Sequence, residues 1–334
     1  MMKQILTLLT VLLVFTACER DLNTEGPDLV DLYGDLAVLE ELKVSQPSAK
    51  FADGETVYFT ARFSKLVNWR LTITGTISGA QKIFENKSKV LDASNTTWAG
   101  EFSKLPFFKT EMCDVELVAN DSIKFNTQFI IQSLVEPKGL VVADFENGMN
   151  PEWSTFVQSG ANMSFNITDQ GAASPQGEFF YDMAGEVNWD WLIGMIEFPG
   201  AAYSETESFP LPENPNDVYF NAMIYVPDSI TNAVILFQFR EDDNEDGTFT
   251  EANEDMYAIE LKGNFESGWQ VYSQKYADLV SIVNGAPAEP NGNKKLEPNK
   301  LNRISLLFLA NPSSGYSKAL LDYVIFTEGK PLIP

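Results

Sequence analysis

Histidine is missing from this 334-residue chain, and that one absence removes much conventional enzyme chemistry. Without imidazole there is no Ser-His or Cys-His nucleophile pair, no His-ligated zinc and no side-chain switch titrating near neutrality. Cysteine is nearly as scarce, with only Cys18 and Cys113. Positive charge is in short supply too: 23 Lys+Arg stand against 47 Asp+Glu, a net charge of −24. A surface of that sign repels a phosphate polyanion, so nucleic acid is not an expected partner. No apolar run reaches the ~20 residues of a membrane-spanning helix. Gly-rich phosphate loops and Gly-x-Ser-x-Gly elbows are absent as well. Paired carboxylates can hydrolyse glycosides without histidine, but nothing in the sequence singles out one pair. The acidic excess reads as a solubility feature, and the chain is expected not to be an enzyme.

What is present begins at the N-terminus. A lone Lys3 precedes an apolar stretch over residues 5–15, the pattern of a secretory h-region. Phe15-Thr16-Ala17-Cys18 then resembles the lipobox of bacterial lipoproteins. The resemblance implies cleavage of residues 1–17 and lipidation of Cys18, with 18–35 as a polar tether. Glu19-Arg20-Asp21, directly behind the cysteine, resembles the surface-export signal of Bacteroidetes-type lipoproteins. The expected location is the outer membrane, lipid-anchored and facing outward. With Cys18 acylated, Cys113 has no intramolecular partner and reads as a buried core thiol.

Beyond the tether the pattern is all-β. Val67, Trp69, Leu71 and Ile73 alternate with polar residues, as a strand with one wet face requires. Short runs of this kind, broken by turns such as Asp53-Gly54 and Ser78-Gly79, predict an immunoglobulin-type sandwich over 36–136. Trp69 and Trp98 lie beside apolar partners and are expected in its core. Glu136-Pro137-Lys138-Gly139 is the best boundary. Strand patterns then resume at 218–226, 234–240, 256–261, 269–274, 304–309 and 320–326.

Three segments of this second region carry a family resemblance. Leu140-Val141-Val142-Ala143-Asp144-Phe145-Glu146-Asn147-Gly148 resembles the opening strand of galactose-binding-like jelly rolls, the fold of many carbohydrate-binding modules. Gly268-Trp269-Gln270-Val271-Tyr272 and Leu321-Asp322-Tyr323-Val324-Ile325-Phe326-Thr327 resemble their Gly-Trp and closing strands. The layout as a whole resembles a surface glycan-binding lipoprotein: lipobox, Ig-like spacer, then a jelly roll over 140–334. It implies non-catalytic binding of a polysaccharide or oligosaccharide, with hand-over to a glycan importer and surface hydrolases. The alternative is a structural or adhesive surface lipoprotein whose jelly roll contacts protein.

Sugars present apolar C–H faces that pack on aromatic rings, and hydroxyl rims that need paired donors and acceptors. Asn188-Trp189-Asp190-Trp191 is the densest aromatic group, and Trp189 and Trp191 share a face if the segment is extended. Trp153 and Trp269 read as core residues. Strand parity sets Tyr219 and Asn221, Gln238 and Arg240, and Glu260 opposite the apolar sets of their strands. If those strands are neighbours, the five residues form one polar face. Two segments are candidate calcium sites, the first of them with a solvated acidic hairpin loop as its alternative. Asp242, Asn244, Asp246 and Gly247 match the first half of an Asp-x-Asn-x-Asp-Gly loop, although Asn253 stands where a bidentate acid belongs. Glu251, Glu254 and Asp255 are the available replacements. The jelly-roll resemblance implies a second, structural Ca2+ between the opening and closing strands, at Glu146 and Asp322 with Asp144 beside them.

Overall fold

The computed structural model describes residues 34–102, 105–159, 162–186, 192–263, 265–283, 286–310 and 315–332. Cys18, Trp189 and Trp191 lie outside the described residues. Among those residues strands dominate, and no helix is long and apolar enough to cross a membrane.

Six strands build the first sheet: β1 (Val38–Val44), β2 (Ser48–Lys50), β3 (Phe59–Gly75), β4 (Gln81–Leu91), β5 (Met112–Ala119) and β6 (Ile123–Ser133). Their order is β1-β3-β5-β6-β2, with β4 also on β3. β3 is long enough to pair with β1 near its start and with β5 near its end, so the sheet curls around its own core. Val67, Trp69, Leu71 and Ile73 are all buried, as their alternation predicts. Trp98 is fully buried against Phe51, Phe108 and Phe129, with centroids 5.0, 4.9 and 5.5 Å away. Its indole N–H donates to the Glu101 carbonyl at 2.6 Å, so the ring is buried without an orphaned donor. Cys113 is a buried free thiol on β5, and burial pushes its pKa up to about 12.

Thirteen further strands follow. They are β7 (Gly139–Ala143), β8 (Ser154–Val157), β9 (Met163–Thr168), β10 (Phe180–Glu186), β11 (Leu192–Pro199), β12 (Val218–Tyr225), β13 (Ala233–Glu241) and β14 (Met256–Lys262). After them come β15 (Gln270–Lys275), β16 (Ile282–Val283), β17 (Ala286–Pro287), β18 (Leu301–Ala310) and β19 (Tyr316–Glu328). Two sheets face each other, β15-β12-β19-β10-β9 with β7 on β19, and β14-β13-β18-β11-β8. Between them Phe220 of β12 meets Phe237 and Phe239 of β13 across the core, each at 4.9 Å. The chain is therefore all-β with face-to-face sheets, as the alternation implies.

The two strand-rich regions touch. The Phe107 N–H donates to the Pro175 carbonyl at 2.8 Å, and its ring lies edge-on to Tyr323 at 5.8 Å. Leu105 and Phe107 pack with Met223, Tyr323 and Ile325 on the outer side of the β12–β19 sheet.

Removing the Trp98 ring leaves a void that its rigid aromatic neighbours cannot close. Trp98→Ala is expected to cost about 3–5 kcal/mol of stability in urea denaturation, and a loss under about 1 kcal/mol would refute its place in the core.

Candidate functional site

Within each strand the side chains alternate as the sequence predicts, but the five expected face residues do not meet. Tyr219 and Asn221 sit on β12 in one sheet, while Gln238, Arg240 and Glu260 sit on β13 and β14 in the other. Since each set points away from the shared core, they lie on opposite sides of the sandwich. The single combined face is thus corrected to one of its halves.

Asn221 is corrected further. It is completely buried, because Leu105, Phe107 and Leu332 cover that side of the sheet. Its Nδ2 donates to the Tyr219 and Ile325 carbonyls and to Thr327 Oγ1 at 3.0, 3.2 and 3.0 Å. Its Oδ1 accepts from Ser273 Oγ at 2.6 Å and the Leu332 N–H at 2.9 Å. No capacity remains for a ligand, and the residue ties the C-terminal segment to the sheet.

The half that does cohere is the outer face of β14-β13-β18-β11-β8. Register places Gln238 beside Ser305, Ser305 beside Glu197, and Glu197 beside Ser154. Arg240 is paired with Arg303 in the adjoining row. At the centre of this polar lane Glu197 accepts four hydrogen bonds. Arg240 Nη1 (2.9 Å) and Ser305 Oγ (2.8 Å) reach Oε1, and Ser154 Oγ (3.1 Å) and Arg303 Nη1 (3.5 Å) reach Oε2. Burial alone would raise the Glu197 pKa, but the Ser305 hydroxyl and the two guanidinium groups outweigh it and hold the acid below its ordinary range. Arg240 also touches Gln238 at 3.5 Å and lies 5.6 Å from the Phe249 ring.

Beside the polar lane runs an apolar one. Register aligns Glu260, Leu236, Leu307, Met195 and Phe156 across all five strands. Phe156 is 43% exposed at its edge, and Glu260 is ion-paired to Lys262 at the other. Leu236 is buried in a small cluster with Ala258, Leu309 and Ile282, so the open part of the apolar strip lies toward Met195 and Phe156, next to fixed donors and acceptors.

No protein-family model and no curated protein matches the chain. Among solved structures it is similar to the family 11 carbohydrate-binding module of a Clostridium thermocellum cellulosomal cellulase. There the identity is 13% and the TM-score 0.39, covering 58% of this chain and 96% of that one. It is also similar to SGBP-B from a complex xyloglucan utilization locus in Bacteroides uniformis, at 11% identity and TM-score 0.33, covering 88% and 73%. A third is the CBM22-1 xylan-binding domain from Paenibacillus barcinonensis, at 14% and 0.32, covering 59% and 99%. Likenesses of this size say nothing about ligand.

Glu197, Arg303, Ser305 and Phe156 escape a sequence reading that looks for aromatic density. For Glu197 and Arg303 the signal is a charged residue inside or just ahead of an apolar run, Glu197 between Ile196 and Phe198 and Arg303 before Ile304, while Ser305 and Phe156 carry none. Trp153 and Trp269 prove to be packing residues. The Trp153 indole donates to the Tyr203 hydroxyl at 3.1 Å, and that of Trp269 to the Ala173 carbonyl at 2.8 Å. A shallow depression on the first sheet, lined by Thr72, Gln81, Glu116, Asn126 and Gln128 among others, has no aromatic wall and offers sugars nothing to pack on.

Of the two candidate calcium loci, only the 242–254 loop brings three carboxylates within 4.8 Å of one another among the described residues. Asp322 is completely buried on β19, accepting from Ser174 Oγ at 2.9 Å and from the Tyr323 N–H at 2.7 Å. Burial first, then the Glu146 charge, push its pKa up to about 8 against the pull of those bonds. Glu146 Oε1 accepts from the Glu178 and Phe179 N–H groups at 2.8 and 2.9 Å, and Asp144 Oδ1 accepts from the Glu146 N–H at 3.2 Å. Gln176 Oε1, nearby in the chain, is buried with no donor. An all-oxygen donor set with an orphaned amide oxygen fits a hard cation. In the other loop Asp242, Asp246 and Glu254 bring carboxylate oxygens within 4.8 Å of one another. Gly247 makes the sharp turn at φ +82°. Glu254 is therefore the acid that replaces Asn253, while Glu251 is exposed and Asp255 turns away. Asn244 Oδ1 is spent on the Asp246 N–H at 2.9 Å.

The depressed Glu197 pKa has a pH consequence of definite sign. Its stabilisation is present above the ordinary carboxylate value of 4.5 and is lost as pH falls through the lower folded-state value. Unfolding measured across the acid range should show wild type losing stability as pH falls and Glu197→Gln with a flatter profile. Identical slopes would count against the network.

Proposed function

We propose that this protein binds a polysaccharide or oligosaccharide without cleaving it, on the outer face of β14-β13-β18-β11-β8. The carrying observation is the two lanes in register: a hydrogen-bonding lane centred on Glu197, Arg240, Arg303 and Ser305, and an apolar lane ending in exposed Phe156. A pyranose has the same two aspects, a C–H face and a rim of hydroxyls. Gln238 and Glu260, also on this face, add further amide and carboxylate contacts. Trp189 and Trp191 directly precede β11, a strand of the same sheet, and in this reading they supply further ring surface. Glu197 is held ionised by four donors, which suits it to positioning neighbours and ill suits it to protonating a leaving group.

In the same reading Cys18 carries the lipid and holds the protein at the outer membrane, facing outward. The 36–136 unit is an Ig-like spacer, and the 140–334 unit is the glycan-binding jelly roll. Captured glycan passes to surface hydrolases and an importer. Ca2+ at Glu146 and Asp322 braces the opening and closing strands and does no chemistry.

Affinity electrophoresis of the purified protein across a polysaccharide panel tests the reading. Retardation is expected on one glycan class, with soluble oligosaccharide competing. Arg240→Ala, Trp189→Ala and Trp191→Ala should each weaken binding by about 1.5–3 kcal/mol, roughly ten- to a hundredfold. Phe156→Ala should weaken it with no change in melting temperature. No retardation by folded protein, or unchanged binding in all four variants, sinks the proposal and favours a protein ligand.

A further inference from the structure

β13 ends at Glu241, two more acids, Asp242 and Asp243, follow it directly, and the three carboxylates part to two sides. Asp242 joins the Asp246–Glu254 group. Glu241 and Asp243 instead meet Asp255, and the three bring carboxylate oxygens within 4.8 Å of one another. Glu254 and Asp255 split in the same way, one acid to each group. The second triad belongs neither to the Asp-x-Asn-x-Asp loop nor to the Glu146–Asp322 locus.

Glu241 and Asp255 are completely buried. Glu241 Oε1 accepts from the Tyr276 hydroxyl at 2.7 Å and the Glu297 N–H at 3.0 Å, but Oε2, equally buried, has no donor. Asp255 accepts from the Gly292 and Lys294 N–H groups at 2.6 and 2.5 Å, and Asp243 from the Asn293 N–H at 3.2 Å. Gly292 comes so close that a Cβ there would sit 1.9 Å from Asp243 Oδ2. Lys300, the nearest base, spends its Nζ on the Asp243 carbonyl at 3.1 Å and on Glu245 and Glu297. Among the described residues none of the three carboxylates is ion-paired with a lysine or arginine. Three carboxylates packed together, one oxygen buried without any donor, call for a bound proton or a cation, and no lysine or arginine ion-pairs with them.

We infer that Glu241, Asp243 and Asp255 form a second divalent-cation site, of the Ca2+ class, beside the Asp242–Asp246–Glu254 group. Oxygen-only donors select a hard cation, and the lack of nitrogen or sulfur ligands disfavours zinc. The ion joins the end of β13 to the 291–297 segment, whose amides already clasp all three of its ligands. Arg240, one residue before Glu241, is thereby held at its place in the polar lane. The inference does not depend on glycan binding.

Calcium calorimetry on chelator-stripped full-length protein separates the sites. Asp243→Asn, at a partly exposed position, is expected to lose one equivalent or weaken it by about 10–100-fold. Asp246→Asn should keep that equivalent, and Glu241→Gln should behave as Asp243→Asn wherever it folds. Tyr257 and Tyr276 hydroxyls lie 3.4 and 2.7 Å from triad oxygens, so tyrosine-sensitised Tb3+ emission should survive in Asp246→Asn and fall in Asp243→Asn. Calcium should also slow tryptic cleavage after Lys294 and Lys295 in wild type but not in Asp243→Asn. Wild-type protein that binds no calcium at millimolar concentration overturns the inference. So does an Asp243→Asn variant with wild-type stoichiometry and affinity.

Discussion

The two-residue period of the pleat governs everything described above. The long strands of the two facing sheets each give one face to the shared core, where Phe220, Phe237, Phe239 and Phe326 interlock. The other face is what the strands offer to solvent or to a neighbouring segment. One of those outer faces is partly spent as well, because Leu105 and Phe107 from the first unit pack on it around Met223, Tyr323 and Ile325. The remaining outer face is the one on which Glu197 gathers Arg240, Arg303, Ser305 and Ser154.

The same period explains what could be read in advance. Which residues of β12, β13 and β14 point inward is a local property, and alternation gives it away: Val218, Phe220, Ala222 and Ile224 in, Tyr219 and Asn221 out. Which sheet a strand joins is decided by long-range pairing with β18 or β19, and no short window carries that information. Tyr219 and Arg240 were therefore assigned the right orientation and the wrong company. Asn221 shows a second limit. Its strand says "outward", yet outward here means beneath another part of the chain. Glu254 as the loop's closing acid was among the options the sequence offered, but the division of Glu254 and Asp255 between two groups required the backbone.

The acidic composition takes on a more specific meaning in the fold. A chain with no histidine and few bases cannot satisfy every buried carboxylate by ion pairing, and it uses backbone N–H groups instead. Glu111, almost fully buried, accepts from the Ile77, Ser78 and Lys109 N–H groups at 2.6, 2.9 and 2.8 Å and fastens the β3–β4 turn to the approach to β5. Burial works to raise its pKa, but the Ser78 hydroxyl and these amides together carry it below the ordinary value. Glu146 does the same for residues 178 and 179, and Asp255 for 292 and 294. In a fold this rich in connecting segments, carboxylates act as clasps. Where the donors run out, as at Glu241 Oε2, the clasp becomes a cation site.

Charge also bears on what the polar lane selects. Arg240 and Arg303 lie together, which by itself would attract an anionic sugar. Glu197 sits between them and accepts from both, so the pair offers directed N–H donors with much of its positive field cancelled. Around this lane the protein carries a net charge of −24, which opposes the approach of any polyanion. Hydrogen-bond direction survives that environment, while the attraction of the two guanidinium groups for a carboxylate is reduced by Glu197 between them. For the glycan binding proposed here, the whole-protein charge weighs against a uronic acid polymer, and Glu197 between the two arginines weakens what would otherwise draw one in.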